Sequence, residues 1–238
     1  MSTSQYPLYQ PVFQLNDEML GIQAFPERSS ETCEALPAYR GQTDSRLFTY
    51  RQSLLQILLD VPTIQSNNIN ILFIEIDEFA LDFCRDVFAW ILDACKKLSM
   101  ELVLLISSID KAEYLDMHPW VKILLSRGAK IGFTNFGTWG NNFMQIVTVL
   151  PEYVFLSPVL IKWCADSNFT QGFEKIISLI KNLGAKVVVC EPETGKQLKM
   201  TYQSQAQYVR SKKFCAPNSI KKIFSHDLGE IASMSEIV

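Results

Sequence analysis

The chain has 238 residues, is 48% hydrophobic and carries a formal charge of −3, enough apolar material for one barrel-sized domain or two small ones. No block of like charges is present, which disfavours a nucleic-acid groove, and Lys212-Lys213 with Lys221-Lys222 read as a solvated face. With the polar start MSTSQYP a signal peptide is not expected, and no run of about 18 apolar residues marks a membrane helix. Six cysteines, at 33, 84, 95, 164, 190 and 215, show no CxxC spacing and accompany only His118 and His226, so a zinc site is not expected. A reduced cytoplasm is the expected compartment.

In chain order, Tyr6–Leu15 and Met19–Phe25 are two apolar runs around Asn16-Asp17-Glu18 and predict a β-hairpin. Residues 26–43 are polar, with two prolines and a glycine, and predict an irregular loop. Apolar spacing predicts a helix over Asp44–Val61, with Asp44 or Ser45 as N-cap, then a loop over Pro62–Asn68. Strands are expected at Ile69–Ile76 and Glu101–Ile106. Between them Phe79–Leu98 should be a helix with Phe83, Val87, Trp90 and Ile91 on one side, and with Cys84 and Cys95 as buried thiols. Lys111–Arg127 reads as mostly helix, ended by Gly128.

The most informative stretch follows, GAKIGFTNFGTWGNNFMQIVTVLPEYVFLSP. An apolar strand, Ala129–Phe133, ends in polar Thr134-Asn135; a turn, a short helix to Leu150-Pro151 and a strand at Tyr153–Leu156 complete a βαβ unit. Beyond it Phe169–Leu183 predicts a helix stopped by Gly184, Ala185–Cys190 a strand, Gly195–Gln203 a helix and Gln207–Phe214 a last strand, with the tail after Pro217 helical at most. Continuous apolar strands alternating with helices imply a parallel sheet buried on both faces. Eight strand candidates make the expected architecture α/β, a closed (β/α)8 barrel with an N-terminal antiparallel hairpin, formed by a single domain over 1–238 with its core at about 6–218.

The central stretch resembles the EAL domains, the bacterial cyclic-di-GMP phosphodiesterase family, whose central block reads roughly DDFGTG-x-SSL, then LP, then KID. Phe136-Gly137-Thr138, Phe143 and Leu150-Pro151 keep that frame, and Tyr9-Gln10-Pro11 matches the family's YQP. An initial antiparallel hairpin is a feature of this barrel variant. The resemblance covers residues 6 to about 218. Its functional positions are replaced. The Glu of Glu-Ala-Leu falls on Gln23, the substrate-phosphate Arg on Glu27 with Arg28 beside it, and the metal-binding Asn on Glu75. The Glu-Ile-Thr-Glu block falls on Leu105-Ile106-Ser107-Ser108, the Asp pair on Thr134-Asn135, and the catalytic Lys and its Asp on Leu156 and Pro158. Cys190 stands for the first Glu of a later block whose Glu193-Thr194 remain, and Arg210-Ser211 for the terminal Gln-Gly.

Mg²⁺ takes hard anionic oxygens, and one carboxylate, Glu75, cannot hold two metals. The reading is therefore of a chain with no catalytic residues, no metal and no cofactor, not an enzyme. A rebuilt acidic site from Glu75, Asp77, Glu78, Glu191 and Glu193 ranks below solvated carboxylates, and a nucleophilic Cys190 below a plain buried thiol. His118 reads as structural. Trp139, in the central loop, is a candidate interface anchor, although packing is the commoner fate of such a residue. Phe136-Gly137-Thr138 and Glu193-Thr194 are expected to keep loop geometry.

The first-ranked function is regulation through contact with another protein. The chain is similar in size and in its replaced site to stand-alone EAL-like proteins of enteric bacteria, which bind the flagellar master activator of transcription. That resemblance implies motility, biofilm or virulence control, a transcription regulator as partner and a homodimer, with no direct nucleic acid and no membrane. The alternative is a cyclic-di-GMP receptor, disfavoured by the missing cations, with Arg28 and Arg210 as the candidate ligand contacts. A residual phosphodiesterase ranks third.

Overall fold

The computed structural model describes residues 7–16, 18–26, 43–76, 78–106, 119–138 and 143–225, apart from the side chains of 43–46 and 78–80. The expectations placed on Glu27, Arg28, Cys33, Asp77, Ser107, Ser108, His118, Trp139 and His226, and on the loop at 27–42, lie outside the described residues.

Eight strands close a barrel in sequence order: β1 (Leu8–Gln14), β2 (Met19–Phe25), β3 (Ile71–Glu75), β4 (Glu101–Ile106), β5 (Lys130–Phe136), β6 (Tyr153–Leu156), β7 (Lys186–Cys190) and β8 (Tyr208–Arg210). The β1–β2 hairpin is antiparallel, β2 to β8 run parallel, and β8 returns antiparallel to β1. This is the α/β barrel with an initial hairpin that the sequence predicts.

The strand sequences are apolar on both faces because both faces are buried. Ile71, Phe73, Val103, Leu105, Tyr153, Phe155 and Val188 point into the barrel. Alternate residues, such as Leu72, Leu104, Val154 and Val187, point out to the helices. Inside, the Phe73 ring meets Tyr153 at 5.0 Å and Phe155 at 5.3 Å, both edge-to-face. Gly132 leaves room for this filling, since a Cβ there would stand 2.8 Å from Leu105 Cδ2.

The described helices are α1 (Thr43–Ser66), α2 (Glu78–Lys97), α3 (Pro119–Ser126), α4 (Phe143–Val149), α5 (Pro158–Asp166), α6 (Thr170–Asn182), α7 (Gly195–Gln203) and α8 (Ile220–Ser225). Several depart from the predicted pattern. α1 runs through Pro62, expected to begin a loop. Proline costs a helix interior one backbone hydrogen bond, but Val61 and Ile64 are fully buried on either side and hold the helix in place. On α2, Val87 and Ile91 are buried, but Phe83 and Trp90 are each 49% exposed, and Phe83 lies under the Arg51 guanidinium at 5.7 Å. Arg51 also reaches Asp86 with two nitrogens, at 2.7 and 2.6 Å, clamping α1 to α2 and holding the Asp86 carboxyl below the usual range. Helix α5 is absent from the predicted pattern. Its start is signalled by Ser157, whose hydroxyl accepts from Val159 N at 3.1 Å, and by Pro158 in the first turn.

Strand β5 continues beyond Thr134-Asn135, where it was expected to end, with a register shift between Phe133 and Phe136 and Asn135 at φ 57°. The last strand is shorter than predicted, and Phe214 N instead closes a turn onto Ser211 O at 3.1 Å. The tail packs: Ile220 and Ile223 of α8 are buried. Tyr9, on β1, donates to Asp60 Oδ2 of α1 at 2.6 Å, and burial, followed by Asp60, pushes its phenol pKa well up. Among the described residues no helix is long and apolar enough to cross a membrane.

Candidate functional site

In a (β/α)8 barrel, chemistry collects where the parallel strands end, because the loops there can vary without disturbing the core. At this mouth the alternation of the strands aims Gln10, Gln23, Phe25, Glu75, Leu105, Thr134, Phe155, Cys190 and Arg210 to the interior side. Of the residues singled out from sequence, Gln23, Leu105, Thr134 and Cys190 are buried in the mouth or just beneath it. Glu75 ends β3, with its backbone carbonyl accepting from Tyr50 Oη at 2.8 Å. Asn135 occupies the β5 irregularity, where its carbonyl accepts from Thr138 Oγ1 at 2.9 Å. Leu156 is elsewhere. It belongs to the helix-facing layer, and Phe155 is the inward residue at that level.

The Phe136-Gly137-Thr138 turn is held by packing. Gly137 has φ 93°, and a Cβ there would fall 2.6 Å from Leu160 Cδ2, so α5 packs directly against the bare backbone. Phe136 meets Phe143 edge-to-face at 5.3 Å. Glu193-Thr194 also serve loop geometry. Thr194 caps α7 in a capping box, with Gln197 Oε1 accepting from Glu193 N at 2.6 Å and Thr194 N at 3.1 Å. Cys190 is a buried thiol whose pKa burial pushes up to about 11, leaving it protonated and a poor nucleophile at neutral pH.

Arg210, the last residue of β8, dominates the electrostatics. Its guanidinium carbon lies 5.6 Å from the Phe25 ring centre and 5.9 Å from that of Phe155, within cation–π reach of both. Its Nη1 donates to Gln23 Oε1. Its Nε is buried and has no hydrogen-bond partner among the described residues. Glu191 Oε1 stands 3.6 Å from that Nε, an ion-pair distance without a hydrogen bond, and the two side chains are only 12% and 13% exposed. Glu191 is itself engaged: Oε1 accepts from Gln10 Nε2 at 3.2 Å and Oε2 from Lys212 N at 2.7 Å. Sequence reasoning found Arg210 but missed Glu191 as its counter-ion and Phe155 as its platform.

Two described carboxylates, Glu75 and Glu191, therefore stand at the mouth. Among the described residues no group of three or more His, Cys, Asp or Glu converges as a metal site.

No family model matches the sequence, and no curated protein matches it either. Solved structures do match. The chain is similar to the PaMucR phosphodiesterase in its c-di-GMP complex (17% identity, TM-score 0.67), covering 92% of this chain and 93% of that one. It is similar to the FimX EAL domain from Pseudomonas aeruginosa bound to c-di-GMP (16%, TM-score 0.66), over 89% and 90%. It also resembles the Bacillus subtilis YkuI protein, with an EAL domain, in complex with substrate c-di-GMP and calcium (17%, TM-score 0.68), over 92% and 60%. At such identities the likeness is one of fold, and the fold is the EAL barrel.

One expectation changes with this finding. The replaced positions led to the expectation that the chain is not an enzyme. Its barrel is matched almost end to end by a phosphodiesterase and by a substrate-bound EAL protein, so that exclusion is withdrawn. All three of these neighbours are solved as c-di-GMP complexes.

Proposed function

We propose that this chain is a regulatory protein on the EAL barrel that recognises cyclic di-GMP at the carboxyl mouth. The observation that carries the reading is Arg210, a nearly buried guanidinium between two aromatic rings with one N–H free of hydrogen bonds among the described residues. A cyclic dinucleotide presents two phosphodiester charges and two flat bases. A guanidinium recognises the first by charge-assisted hydrogen bonds, and exposed parts of Phe25 offer a surface to the second.

The test is calorimetric titration of the purified chain with cyclic di-GMP. The wild type should bind, and Arg210→Ala should weaken binding roughly 10- to 100-fold, the size of a lost hydrogen bond to a charged group. Equal affinities of the two proteins, or no heat from either, would overturn the reading.

A second reading, regulation by protein contact with a transcription regulator as the expected partner, is favoured by a different observation. α4 and α5 expose Met144 (69%), Val147, Val159 and Trp163 (55%). Exposed aromatic and Met side chains are over-represented at interfaces. Immobilised protein should retain a partner from its native cell that the double variant Met144→Glu/Trp163→Glu releases. Identical retention by both would count against it.

A further inference from the structure

We infer that Glu191 is a built-in competitor for the anion site of Arg210, so that a ligand phosphate must displace this carboxylate to bind. The inference deepens the cyclic-di-GMP reading above and rests on it.

Glu191 follows directly on β7, with its backbone at φ 51°, a left-handed conformation that few side-chain-bearing residues adopt. Its own N–H donates to Arg210 O at 2.7 Å. The bend turns the carboxylate back over the mouth, where the Gln10 amide and the Lys212 N–H hold it 3.6 Å from Arg210 Nε. Two features make this a competitor and not a simple ion pair. The geometry is poor for mutual bonding: Arg210 Nε, buried, has no hydrogen bond among the described residues even with a carboxylate oxygen beside it. And Glu191 takes its hydrogen bonds from other donors, so its negative charge is fixed at the mouth whether or not Arg210 is engaged. A carboxylate and a phosphodiester are both anionic oxygen acceptors, and the side chains here are mostly withdrawn from water. The two therefore repel strongly if both are to sit against one guanidinium. In the free protein the carboxylate is the anion set against this cation; the liganded protein has to move Glu191 out.

The test compares wild type, Glu191→Gln and Glu191→Asn by calorimetric titration with cyclic di-GMP. Glutamine keeps the acceptor for Lys212 N and removes the charge. Asparagine tolerates the left-handed backbone, which keeps the test open if the first variant folds poorly. The expected result is an affinity for cyclic di-GMP about tenfold tighter in both variants, the scale of one like charge removed from a partly desolvated site. Guanosine, which shares the base and sugar but has no phosphate, should bind all three proteins alike, a pattern that a purely structural role for Glu191 would not give. If the variants bind cyclic di-GMP no tighter than a binding wild type, the inference fails and the cyclic-di-GMP reading stands. If guanosine affinity rises in step, Glu191 acts on mouth shape and the inference also fails. If none of the three proteins binds the dinucleotide, both fall together.

Discussion

Phe73→Ala should destabilise the barrel by about 3–5 kcal/mol, the range for deleting a large aromatic side chain from a core that cannot collapse. Phe73 is fully buried in the barrel interior, edge-on to Tyr153 at 5.0 Å and to Phe155 at 5.3 Å. The space it fills is walled by strands whose spacing is fixed by backbone hydrogen bonds to both neighbours, so the walls cannot move in to close the void. Aromatic pair geometry adds about 0.5–1.5 kcal/mol per contact to the burial itself. Equilibrium unfolding in urea measures the loss, with Phe48→Ala, a residue 59% exposed, as a control expected to change little. A loss below about 1 kcal/mol for Phe73→Ala would mean that the interior relaxes, against the close packing argued here.

Gly137→Val should be nearly as costly, about 2–5 kcal/mol, for two reasons. A β-branched residue at φ 93° is strained wherever it sits. The added Cβ also meets Leu160 Cδ2 at 2.6 Å and Leu160 Cβ at 2.9 Å, and the second atom is fixed to the α5 backbone and cannot swing away. Gly137→Val combined with Leu160→Ala tests the packing reason: removing Leu160 Cγ and its methyls should recover part of the loss and leave the Cβ contact and the backbone strain. Thermal unfolding of the single and double variants reads both. A single variant as stable as wild type would show that the turn holds Gly137 for neither reason.

The sequence carried the strand count, the closure and most helix positions because each depends on local pattern: apolar runs, turn residues, caps. It carried Glu193-Thr194 as a retained pair expected to keep loop geometry, without the Gln197 capping box that does so. It failed where information is not local. The run Tyr153–Leu156 is apolar throughout, so no alternation says which residues face inward; packing of Tyr153 and Phe155 on Phe73 decides it, and Leu156 goes to the helices. The extension of β5 past Asn135 depends on a register irregularity stabilised by Phe136 and Leu156 pairing. Helix α5 was hidden behind the family motif expected at the same residues, although Ser157-Pro158 is an ordinary helix start. The Glu191–Arg210 pair joins two strand ends whose adjacency exists only in the closed barrel, with a left-handed turn that nothing in Glu-Pro announces.

The closure itself carries a burden of timing. Among the described residues β1 joins β8 through Phe13–Val209 and Gln14–Tyr208, with Leu15 N donating to Gln207 O at 3.3 Å, and farther up the strand Tyr9 exchanges backbone hydrogen bonds with Asn218 of 2.7 and 2.9 Å. β1 therefore finds its second neighbour only after β8, the last strand of the barrel, has emerged from the ribosome. Until then the hairpin keeps one unpaired, apolar edge open to any other strand. Contacts between residues this far apart in sequence are late and slow to form. Chain synthesis, and not the finished barrel, is where this protein is most exposed to misassembly.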